Sequence, residues 1–231
     1  MDLGDQIISY IEMCLREKTN LQAGMNFGLG GTHSVILMSV RPSAPYNDRL
    51  EDEGTTLIYE GHDQPLSESC KNPKLVDQLG HRASGSLTQN GKFHQAAQAT
   101  KAGKRSPERV RVYEKLHRGI WSYNGLFYLV DSWIEFDGKR HVFRFKLVAV
   151  EGEEEFDAPP APAPIRRRII PTAVKIAVWK RDGGKCVMCD ATDELHFDHD
   201  LPWSKGGTSI TAANVQLLCA RHNMQKRDDI I

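Results

Sequence analysis

Residues 186–223 read CVMCDATDELHFDHDLPWSKGGTSITAANVQLLCARHN. Two ligand pairs, Cys186-x-x-Cys189 and Cys219-x-x-His222, bracket an acid, a base and two amides. Two-residue spacing on a tight turn presents soft ligands to one tetrahedral ion, and zinc suits three thiolates and one imidazole. All four positions are filled by protein, so this zinc is expected to be structural, a staple for a unit of limited core. Alternation along a strand sends His196, Asp198 and Asp200 to one face and Phe197 and His199 to the other. Gly206-Gly207 lets the chain turn back and return as Val215–Leu218, and a helix from about Ala220 to Arg227 would follow. The expectation is a ββα unit with the metal pairs at its base.

The polar residues inside the staple suit phosphodiester hydrolysis, which needs a base for water and a cation for developing charge. His199 is the candidate base. Asp198 is a hard oxygen ligand for Mg²⁺ or Mn²⁺, and Asn223 offers a second oxygen to the same ion. Asn214 is placed to hold the histidine, and Lys226, one turn beyond Asn223, to meet a phosphate. His196 reads as structural or phosphate-facing.

With these residues in place, DHDLPWSKGG…NVQLLC…HN…K resembles the HNH (ββα-metal) endonuclease family in its zinc-stapled form. The resemblance covers about 170–231. It implies His199 as base, Asp198 and Asn223 as catalytic-metal ligands and Asn214 as the mid-motif asparagine. His222 stands where a cysteine is commoner.

Working outward, the 231 residues fit one large or two modest domains, and 40% hydrophobic with 26% charged residues excludes disorder and collagen-like chains. Formal net charge is zero, so any affinity for nucleic acid must be local. Residues 165–231 carry 11 Lys/Arg against 8 Asp/Glu, with Arg166–Arg168 at their entrance. No apolar run suits a membrane span, and no basic-then-apolar leader opens the chain. Three of the five cysteines belong to the staple, while Cys14 and Cys70 stand alone, a usage that points to the cytoplasm. The acidic run Glu151–Asp157 and the extended Ala158–Pro164 mark a boundary. The expected division is 1–157, a linker at 158–166, and 167–231.

In the first domain, Ile7, Ile8, Ile11 and Leu15 have helical spacing over 5–18, and Gly24–Gly31 reads as a loop. Strands are expected over Ser34–Val40 and Thr55–Gly61, and a short helix over 87–101. Three more strands fill 108–150, divided by turns at Tyr123-Asn-Gly125 and Asp137-Gly138. The result is an α+β chain with a curved β-barrel in its first part. Tyr46-Asn-Asp48 and Tyr59 place an acid between two aromatics, able to sandwich a flat ring and accept from its exocyclic amine, as a flipped cytosine requires. Lys101–Arg118 holds seven Lys/Arg against two Glu and is a candidate phosphate contact.

The wider pattern HSVILMSV…YNDRLEDEGTTLIYEGHD…WSYNGLFYLVDSWIEF resembles the SRA (YDG) domain over about 30–150. Its naming triplet appears as Tyr123-Asn124-Gly125, with Asn where Asp is usual. The resemblance implies base flipping of 5-methylcytosine or 5-hydroxymethylcytosine, with Tyr46 and Tyr59 stacking the base and Asp48 reading its amine edge. The commoner pattern puts the acid three residues after the first tyrosine, where this chain has Arg49, so Asp52 stays a rival to Asp48. Together the two resemblances imply a modification-dependent restriction endonuclease acting on double-stranded DNA, with structural Zn²⁺, catalytic Mg²⁺ or Mn²⁺, and a homodimer for double-strand cleavage. The alternatives are a reader of phosphorothioate or methyladenine, or a zinc-containing DNA-binding protein that does not cut.

Overall fold

The structure, a computed structural model, describes residues 5–21, 23–41, 44–68, 70–150, 169–200 and 210–226. The expected linker at 158–166 and the Gly206-Gly207 turn lie outside them.

The chain opens with β1 (Gln6–Ser9) and then α1 (Tyr10–Arg16), not with one helix over 5–18. Ser9 is the reason. Its hydroxyl accepts from the Glu12 amide while the Glu12 carboxylate accepts from the Ser9 amide, a capping box that starts the helix at Tyr10. Upstream of the cap, Ile7 and Ile8 are free to pair as a strand. The apolar stripe inferred for a helix is therefore split: Ile8 is buried, whereas Ile11 and Leu15 are each 71% exposed.

Gly24–Gly31 is also not a plain loop. It contains β2 (Met25–Leu29), paired antiparallel with β3 (His33–Met38). Next come β4 (Arg49–Glu51), β5 (Thr56–Glu60), α2 (Gln89–Lys101), β6 (Glu108–His117), β7 (Ile120–Phe136) and β8 (His141–Ala149). The Tyr123-Asn-Gly125 triplet lies inside β7, and the β6–β7 turn is at Arg118-Gly119. Tyr123 pairs with Tyr113 and Leu126 with Arg111, so two residues of β7, Asn124 and Gly125, oppose Val112 alone. This is a β-bulge, and Gly125 at φ +92° supplies the backbone conformation it needs.

The strand order runs β2-β3-β6-β7, where β7 takes two neighbours on its far side. Its first residues pair with β1, and its later ones with β8, which continues to β5 and β4. Among the described residues the sheet is strongly branched and does not close, so the barrel expectation becomes an open curved sheet. α2 covers it, burying Phe93, Ala96 and Ala97 against Met25, Phe127, Phe143 and Phe145.

The carboxyl-terminal unit has α3 (Thr172–Arg181), β9 (Leu195–His199), β10 (Val215–Cys219) and α4 (Ala220–Lys226), the expected ββα order behind a preceding helix. It is not a separate body. The Phe197 amide donates to the Asp5 carbonyl, Gln6 registers with His196, and the sheet runs on through β1, β9 and β10. One apolar cluster joins Leu116 of β6 to Val174, Val178, Phe197, Leu217 and Leu218, with Ile7 and Ile120 packed at its edge. Where the described chain resumes, the Ile169 amide donates to the Gly54 carbonyl. A Cβ on Gly54 would fall 2.6 Å from the Ile169 carbonyl oxygen, so that approach requires glycine. No helix among the described residues is long and apolar enough to cross a membrane.

Candidate functional site: an acid–aromatic cavity and a stapled ββα centre

A cavity of about 450 Å³ opens beside β3 and β5, lined among others by Gly24, Tyr46, Asp48, Tyr59, His62, Lys115 and Trp121. The fold thus brings Tyr46, Asp48 and Tyr59 together. Asp52 lies elsewhere: it opens a 3-10 turn at φ +51°, and its carboxylate accepts from the Thr56 hydroxyl.

Asp48 is 8% exposed, and its two oxygens accept from the Glu60 and Ser39 amides, each at 3.0 Å. Burial pushes its pKa up to about 7. The two amides hold it lower than it would otherwise be, Glu60 pushes it up and Arg144 pulls it down. Behind the cavity, Glu60 is held by Arg144 at 3.0 Å and by Arg140 at 3.4 Å. This buried frame fixes the strand that carries Tyr59. Burial and neighbouring acids raise the Tyr59 phenol, so it stays a neutral donor, bonded to the Gly24 carbonyl at 3.3 Å.

His62 had no role in the sequence reading. Its ring is stacked on Tyr46, 5.7 Å between centroids and 17° from parallel, and lies 6.4 Å from the Tyr59 ring. Burial lowers its pKa to about 4, so it is a neutral imidazole. The Lys74 ammonium also lies over the Tyr46 ring, 4.0 Å from the centroid. Gly24 makes room for it: a Cβ there would meet His62 Nε2 at 2.7 Å, a contact that the sequence does not signal. A larger groove of about 790 Å³ between α2 and Ile134 and Phe143 is mostly apolar and lacks an acid–aromatic set.

The basic stretch 101–118 is partly committed inside the molecule. Lys101 pairs with Asp131, Arg105 with Glu108 and Arg111 with Glu17, while Lys115 lies over Trp121 at the cavity.

In the second unit, the ligand atoms of Cys186, Cys189, Cys219 and His222 all lie within 4.8 Å of one another. His222 Nδ1 is 3.4 Å from the sulfurs of both Cys186 and Cys219, and the Cys189 and Cys219 sulfurs are 3.9 Å apart. Edges of this length belong to a tetrahedron with metal–sulfur bonds of about 2.3 Å and a metal–nitrogen bond of about 2.0 Å, so the residues fit zinc. Burial raises the Cys186 thiol, but surrounding amides and His222 outweigh it, bringing it to about 6.

β9 buries Leu195 and Phe197 in the shared core and carries His196 and Asp198 on the alternate positions. His199 registers with Val215, and the Asp200 amide donates to the Asn214 carbonyl at 2.9 Å. That bond closes the hairpin mouth and brings Asn214 beside the His199-Asp200 end. Lys226, read from sequence as a phosphate contact, is 1% exposed; its ammonium instead holds the Asp198 carboxylate and the His199 carbonyl. The helix turns its last residues inward over β9, which is why the lysine is spent on the acid. Asn223, three residues earlier on α4, shares that helix face. Burial raises the Asp198 pKa, and Lys226 opposes the rise.

Residues 2–153 match the family model described as SAD/SRA domain, and residues 186–229 match the model described as HNH endonuclease. No curated protein matches the chain. Among solved structures, the SUVH5 SRA domain in complex with hemi-methylated CG DNA is 24% identical, covering 68% of this chain and 94% of that one, at a TM-score of 0.45. The same domain bound to fully hydroxymethylated CG DNA is likewise 24% identical, over 68% and 95%, also at 0.45. The modification-dependent TagI restriction endonuclease is 19% identical, covering 96% of this chain and 76% of that one, at 0.42.

Proposed function

The chain belongs to the SAD/SRA domain family and carries an HNH endonuclease unit behind that domain, and we propose that it is a modification-dependent DNA endonuclease. Its first domain takes up a flipped 5-methylcytosine or 5-hydroxymethylcytosine, and its second hydrolyses a phosphodiester bond nearby. The observation that supports this is the gathering of Tyr46, Asp48 and Tyr59 around one cavity, on the same sheet that carries His199 and Asp198.

The aromatic rings of Tyr46 and Tyr59 flank the base. The Asp48 carboxylate accepts from its exocyclic amine, an interaction worth most where the acceptor is buried and held by two amides. Lys115, at the cavity, meets the backbone beside the flipped nucleotide. In the nuclease, Asp198 and Asn223 would hold Mg²⁺ or Mn²⁺, which would supply positive charge for the phosphate. His199 accepts the proton of the attacking water, and Asn214 keeps it in place. Lys226 positions Asp198, and Cys186, Cys189, Cys219 and His222 hold a structural Zn²⁺. Two copies act on the two strands, as a homodimer, in the cytoplasm.

Digestion of matched plasmids tests this: unmodified, cytosine-methylated and hydroxymethylated DNA with Mg²⁺ or Mn²⁺. Cutting confined to the modified plasmids is the expected result. Equal cutting of all three defeats the cytosine reading, and no cutting of any, with binding intact, favours a non-cleaving binder.

A further inference from the structure

The best-buried ion pair between the two units is Lys175 of α3 with Glu114 of β6, both side chains 0% exposed, 3.1 Å apart. Lys175 also donates to the Asn124 side-chain oxygen at 2.6 Å and to the Ser122 hydroxyl at 3.1 Å, and lies 3.4 Å from an Asp5 oxygen. Thr172, on the same helix, donates to the other Glu114 oxygen. Among the described residues these partners of the Lys175 side chain all belong to the first domain. Asn124 completes the ring by donating to Glu114 at 3.0 Å.

This ring accounts for the altered triplet. The residue at 124 must accept from Lys175 and donate to Glu114, which an amide does and a carboxylate does not. The β7 bulge directs it there. The same strands carry cavity residues: Lys115 follows Glu114, Trp121 precedes Ser122, and the Asn124 amide also approaches the sulfur of Met38, which lines the cavity.

A buried ion pair adds little net stability over apolar packing, but it is unforgiving of geometry. The apolar cluster and the β1–β9 junction hold the units together; the ring around Lys175 admits one orientation. We propose that Lys175 is a positioning residue for cleavage: with Glu114 and Asn124 it locks the nuclease onto the reader, so the distance from recognised base to cut bond is set by this interface and not by the length of residues 151–168. This rests on the reading of the chain as a modified-DNA nuclease.

The test lengthens the connection by inserting about eight Gly/Ser residues after Pro164, roughly 16 Å of added coil reach. Cut positions on a duplex with one methylated cytosine are mapped, and small-angle scattering of the free protein is recorded. The expected result is an unchanged cut spacing and an unchanged radius of gyration. In a second protein the insertion is combined with Lys175→Met and Glu114→Gln, which remove both charges of the central pair together. There the cuts scatter over several spacings, while zinc content stays the same. A cut that moves with the insertion alone, or a spacing that stays sharp in the combined variant, overturns the proposal. If unmodified DNA is cut equally or no DNA is cut, the modified-DNA reading fails instead, and scattering alone decides the docking: expansion on insertion overturns it, constancy supports it.

Discussion

His62 lies flat against Tyr46, 5.7 Å from ring centre to ring centre, with its Nε2 3.1 Å from the Tyr59 hydroxyl. The two tyrosines expected to sandwich a base thus flank an imidazole of the same chain, and a base that stacks on this face of Tyr46 must displace it.

Displacing a stacked ring costs about 1 kcal/mol. His62→Ala removes that cost, so modified duplex should bind roughly five-fold tighter, with discrimination against unmodified duplex retained. Fluorescence anisotropy with the two duplexes checks this. Weaker binding would instead make His62 a permanent wall of the cavity.

Asp48 gives the pH dependence. Burial raises its pKa from 3.8 to about 7, so its contribution to folding is fully present below the unfolded value and is lost as pH rises through about 7. Binding has the opposite sign, because only the carboxylate accepts from an amine at both oxygens. Affinity for methylated DNA should rise between about pH 6 and about pH 8, by up to about ten-fold per unit on the acid side. Asp48→Asn should flatten that slope and weaken methylated-DNA binding about ten-fold. A slope that persists in the variant would place the titrating group elsewhere.

The metal staple and the catalytic base should separate cleanly. Cys189→Ser is expected to lose bound zinc and several kcal/mol of stability, because ligand binding in such sites is folding energy. His199→Ala should keep one zinc per chain and the melting temperature of the parent, yet cut about 10²- to 10⁴-fold more slowly. Metal analysis beside a cleavage time course distinguishes them, and a His199→Ala protein that cuts at the parental rate would remove it as the base.

Asn124→Asp places a carboxylate beside buried Glu114, with Lys175 already shared between Glu114 and Asp5. Crowded buried carboxylates hold a proton, so one of the two should titrate well above the usual range. The variant is expected to be less stable by about 3 kcal/mol, with the deficit growing as pH rises through the raised value. Melting curves across pH check the sign. A deficit that shrinks toward alkaline pH would contradict the network as drawn.

Much of this was legible along the chain. The four staple ligands and the ββα order depend on short spacings and on strand alternation, which local stereochemistry enforces, whereas Tyr46, Asp48 and Tyr59 were pointed to by the resemblance to the SRA domain. The helix expected over 5–18 failed because a capping box at Ser9 outweighs apolar periodicity. The turn expected at Tyr123-Asn-Gly125 failed because a glycine at positive φ serves a bulge as readily as a turn. Lys226 was misplaced because spacing along a helix gives the face a residue shares, not what that face is packed against.

By itself, the sequence determined the chemistry on offer: which side chains can hold zinc, which can move a proton, and which can accept from an amine. Those are properties of residue types at fixed local spacing. Only the tertiary structure decided that Asp48 and not Asp52 faces the cavity, that an imidazole lies between the tyrosines, and that the nuclease is built onto the reader's sheet around Lys175. These depend on contacts between residues tens of positions apart, such as Lys175 with Glu114. Such pairs leave no periodic trace in the chain, because burial selects them only after the sheet has brought them together.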